Sequence, residues 1–102
     1  MDEPTGTFWW LAGLGNVLVW ARLRALDSGA AEVFAADGRT LLFDSADAAR
    51  AALLDAEFRA FDGLDPADAD ALGFDLREVA PPRADDDAQL LPLMTQALQR
   101  AN

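Results

Sequence analysis

Apolar residues fall in short runs separated by turn formers through roughly the first forty positions and afterwards recur every three or four residues. That change of pattern predicts strands followed by helices. The uncharged run over residues 4–21 carries Phe8, Trp9, Trp10, Leu11, Leu14, Val17, Leu18, Val19 and Trp20, and Gly13-Leu14-Gly15-Asn16 interrupts it. Three turn formers in so short a stretch predict a loop, making residues 7–12 and 17–26 two strands of a hairpin. Asp27-Ser28-Gly29 predicts a three-residue hairpin loop with Gly29 in the left-handed region. Asp37-Gly38, between apolar runs at 30–35 and 39–43, predicts a two-residue type I′ turn.

These loops imply a register. The first sets Leu26 opposite Ala30, Arg24 opposite Glu32, Leu23 opposite Val33 and Arg22 opposite Phe34. The second sets Ala36 opposite Arg39, Phe34 opposite Leu41, Val33 opposite Leu42 and Glu32 opposite Phe43. One side of the ribbon then carries Val17, Val19, Ala21, Leu23, Val33, Ala35 and Leu42, a small-residue face. The other, an aromatic face, carries Leu18, Trp20, Arg22, Arg24, Glu32, Phe34, Leu41 and Phe43. Trp9 and Trp10 are adjacent and must point to opposite sides, so at most one joins the aromatic face and the other belongs to the core.

After Asp44-Ser45, a capping pair, Ala46, Ala49, Leu53, Ala56 and Ala60 recur at helical spacing, with Leu54, Phe58 and Phe61 widening the stripe. The pattern predicts one long helix over 45–62, ended by Gly63, strengthened by Asp55 and Arg59, and lying on the small-residue face. Asp65 as cap and Pro66 at the first helical position predict a short helix over 66–72, stopped by Gly73. Residues 74–79 could add a further strand, and 80–87, with Pro81-Pro82, reads as a linker. Leu90, Leu93, Met94, Ala97, Leu98 and Ala101 predict a C-terminal amphipathic helix, begun at Leu91 because Pro92 suits a first turn only. The fold expected is α+β in a single domain over 1–102: an antiparallel meander of three to four strands on one long helix, with a short helix and a C-terminal helix.

The chain has no Cys, His, Tyr or Lys, so thiolate, imidazole and Schiff-base chemistry and His- or Cys-based zinc sites are excluded. A net charge of -10, with the eight Arg scattered, works against nucleic acids and anionic membranes as partners. A helix over residues 7–21 would span only about 22 Å of a roughly 30 Å hydrocarbon core. With Asp2 and Glu3 ahead of the apolar run the start does not resemble a secretory signal, and a cytoplasmic location is expected.

Local motifs carry little chemistry. Gly13-x-Gly15 lacks the third glycine of a dinucleotide fingerprint, Leu18 standing in its place, and a strand follows it where that motif needs a helix. Asp68-x-Asp70 with Gly73 imitates a calcium loop, but Leu72 and Val79 fall where oxygen ligands are required. Ser28 and Ser45 have local roles in a turn and a cap and no imidazole to activate them. No catalytic residue, metal ligand or cofactor is assigned. The aromatic face stands out instead, with Leu18, Trp20, Phe34, Leu41 and Phe43 edged by Arg22 and Arg24, an apolar centre rimmed by guanidinium groups. Its bland counterpart is core, if the C-terminal segment folds back to cover it. The expectation is a non-enzymatic interaction or regulatory domain that binds a protein partner, or a second copy of itself, through this face or the C-terminal helix. Two alternatives differ in kind. An acidic inhibitor or immunity-type protein would occupy a basic active site with clustered carboxylates, and a divalent-metal-dependent enzyme would need Asp residues converging in a concave site.

Overall fold

A computed structural model of the protein describes residues 6–14, 17–72, 74 and 79–97. The element order is β1 (Gly6–Leu14), β2 (Val17–Ala25), β3 (Ala31–Ala35), β4 (Thr40–Phe43), α1 (Ala46–Asp55), β5 (Arg59–Ala60), α2 (Pro66–Leu72) and α3 (Asp87–Leu90). A 3₁₀ turn (Leu91–Leu93) and β6 (Thr95–Ala97) follow. The architecture is α+β, with an antiparallel sheet ordered β4-β3-β2-β1-β5 and β6 also paired to β2. The helices are short. None of the described helices is long and apolar enough to cross a membrane.

The first hairpin is longer than its glycines suggest, because β1 continues through Gly13 to Leu14, which pairs with Val17. The connecting Gly15 and Asn16 lie outside the described residues. The loop at Asp27-Ser28-Gly29 forms as the sequence predicts: Leu26 N–H donates to the Ala30 carbonyl at 2.9 Å, and Gly29 has φ 92°. Ala30 N–H donates to Ser28 Oγ at 3.3 Å. Arg24 accordingly faces Glu32, Leu23 faces Val33 and Arg22 faces Phe34.

The next loop departs from expectation by one residue. Ala35 N–H donates to the Arg39 carbonyl and Gly38 N–H to the Ala35 carbonyl, each at 2.9 Å, so the loop is Ala36-Asp37-Gly38, with Gly38 at φ 92°. Arg39 N–H donates to Asp37 Oδ1 at 2.9 Å. Asp-Gly thus completes a three-residue loop of the same kind as the first, not a two-residue type I′ turn. The slip inverts β4, since a one-residue shift sends each side chain to the other face. Phe43 now pairs with Ala31 and Leu41 with Val33 on the small-residue face, while Leu42 pairs with Glu32 on the aromatic side.

Each face of the sheet supports its own cluster. On the small-residue face, Trp10, Ala21, Leu23, Ala31 and Val33 pack against Ala49 and Leu53 of α1, with Phe43 and Phe58 at the border. Alanines on both sides allow close approach, and Ser45 caps the helix by accepting from Ala48 N–H at 3.0 Å. The helix does not run to residue 62. Ala56 closes it, Glu57 takes φ 70°, and the Glu57 and Phe58 amides return to the carbonyls of Leu54 and Leu53. This Schellman turn seats Phe58 beside Leu53 and releases Arg59 and Ala60 to pair with Leu11 and Trp10 of β1. Arg59, now in a strand, makes no helical i,i+4 pair with Asp55. Gly63 does not end the helix but serves a later turn, at φ 95°. In a helix Phe58 and Phe61 would share a side, whereas here they join opposite faces of the sheet.

Glu57 occupies a conformation that side chains avoid. Glu57→Gly is therefore expected to stabilise the fold by about 0.5–1 kcal/mol, after allowing for the greater freedom of glycine in the unfolded chain. A rise in the urea midpoint at constant slope would show it.

α2 begins as its sequence predicts, with Asp68 N–H donating to Asp65 Oδ1 at 2.8 Å. Its proposed stop, Gly73, and residues 75–78 of the possible extra strand lie outside the described residues. The C-terminal helix is corrected. Asp86 caps α3 by accepting from Gln89 N–H at 2.8 Å, Pro92 sits in the 3₁₀ turn, and the chain then extends as β6. Thr95, Gln96 and Ala97 pair with Val19, Leu18 and Val17. β2 is longer than β3 and leaves this stretch of edge open, and filling it satisfies backbone groups on both strands. An eleven-residue helix is marginal without tertiary support, so the edge prevails.

Candidate interaction surface

The aromatic face is covered by this chain itself. Leu18 and Trp20 of β2 and Phe34 of β3 lie with Leu11 beneath Leu64, Ala69, Leu90 and Met94, and Leu18, Trp20 and Met94 are fully buried. Trp9 joins this cluster, its ring centroid 6.0 Å from that of Trp20 at 88°, while Trp10 enters the opposite core. The two tryptophans thus divide between faces as their adjacency requires. Phe61 adds a tilted ring 5.3 Å from Trp20. Leu18, Trp20 and Phe34 can meet no partner while this cover is in place.

The guanidinium groups sit at the margin. Arg22 is only 11% exposed, lies 5.1 Å over the Phe34 ring, and grips Asp87 with two bonds, Nη1 to Oδ1 at 2.8 Å and Nη2 to Oδ2 at 3.3 Å. This pair ties α3 to β2. Arg24 is exposed and lies 3.3 Å from Glu32. The Arg22 hydrogen bond holds the Asp87 carboxyl below its ordinary range, with the nearby charges of Arg22 and Arg24 adding to it.

A lowered folded-state value stabilises the fold above the unfolded carboxyl value, near pH 4, and that contribution disappears as pH falls through the folded value. Asp87→Asn should cost about 1 kcal/mol at neutral pH. Urea melts of both chains should converge as the pH is lowered from about 4 towards 2.

Leu41 and Phe43 belong to neither the aromatic face nor its cover. Phe43 is half-buried beside α1, and Leu41, on the same side, is 46% exposed. Sequence reasoning did not single out Leu42, which is 73% exposed on the opposite side of β4. Among the described residues β4 ends the sheet order, and its outer backbone edge and two leucines are open together. The other end of the order is β5, two residues long, with Arg59 in it and Phe58 and Phe61 on either side.

The concavities offer little chemistry. A cleft of about 500 Å³ between the end of α1 and β1 is lined by Ala12, Gly13, Leu54, Ala56, Glu57, Phe58 and Arg59. A hollow of about 120 Å³ involves Phe8, Trp10, Arg50 and Asp62. Neither brings two carboxylates together, and among the described residues no three acidic groups converge as ligands for a metal ion. Comparison with family models, curated proteins and solved structures finds no match in any of the three.

Proposed function

We propose that the protein is a small, acidic, non-enzymatic interaction domain whose partner-binding surface is the outer edge of β4. The single observation that carries this reading is the exposure of Leu41 and Leu42 on a strand that, among the described residues, has no hydrogen-bonded neighbour outside it. Folded proteins commonly blunt such edges with charge, proline or a bulge, and Thr40-Leu41-Leu42-Phe43 has none of the three within it. Of the residues nominated from sequence, Leu41 remains part of the surface and Phe43 supports it from below. Leu18, Trp20, Arg22 and Phe34 act indirectly, by holding the sheet and its cover together.

Site-specific photo-crosslinking tests this reading. A photoreactive residue at 41 or 42, introduced in the cell that makes the protein, should give discrete protein adducts, and one at exposed Leu54 or Asp70 should not. Equal labelling at all four positions, or none at 41 and 42, would overturn it.

A further inference from the structure

We draw no further inference here: the strongest candidate, the cleft between the end of α1 and β1 that Leu54, Glu57, Phe58 and Arg59 line, sets one carboxylate and one guanidinium in exposed positions, and nothing in the structure shows what ligand or partner fills it.

Discussion

Ending the chain at Arg83 is expected to abolish the cooperative thermal transition and make the remaining protein aggregate where the full chain stays dissolved. The lost segment supplies Leu90 and Met94, both buried, and half-buried Leu91. Burying such side chains contributes about 1.5–3 kcal/mol each. Truncation also uncovers Leu18, Trp20 and Phe34, removes the β6 partner of residues 17–19, and leaves the Trp20 amide without the Met94 carbonyl it meets at 2.8 Å. The loss is on the order of 10 kcal/mol, comparable to the whole stability of a domain this size. Circular dichroism melts with dye binding to exposed apolar surface would measure it. A truncated chain that melted cooperatively near the full-length temperature would show that the segment is not needed to cover the aromatic face.

Replacing Trp20 by alanine should cost about 3–5 kcal/mol, the largest effect expected of a single substitution here. Trp20 is the bulkiest fully buried side chain, and its removal would leave Trp9 and Phe61 facing a void. Trp20→Phe should cost much less, about 1–2 kcal/mol, because a ring still fills the space between its aromatic neighbours. It also removes a buried indole N–H that has no acceptor among the described residues. Urea unfolding at equal slope separates the two variants. Equal losses from both would mean that shape at the indole's far edge, not ring volume, controls this core.

The order of the two variants depends on which face of β2 holds Trp20, and that was legible from alternation. Val19 and Trp20 lie on opposite sides as predicted, and the Leu26–Ala30 loop set the β2–β3 register correctly because Gly29 can sit in only one place in a three-residue loop. The candidate site was less legible. Asp37-Gly38 suits either a two-residue or a three-residue loop, both with glycine in the left-handed region, and no local preference chooses between them. Phe43 finds the α1 side of the sheet only in the longer loop, and that choice turns Leu42 outward on the aromatic side beside the open edge.

Local chemistry written in neighbouring residues determined the strands, the helix starts at Ser45 and Asp65, and the absence of thiolate, imidazole and lysine chemistry. Distant edges decided the rest. α1 stops at Asp55 because β1 can accept Arg59 and Ala60, and the last segment extends because β2 outreaches β3. Helical periodicity records which residues are apolar, but an unpaired backbone edge elsewhere in the fold leaves no trace in a segment's own spacing. Where such an edge was available, pairing with it outweighed the segment's helical preference.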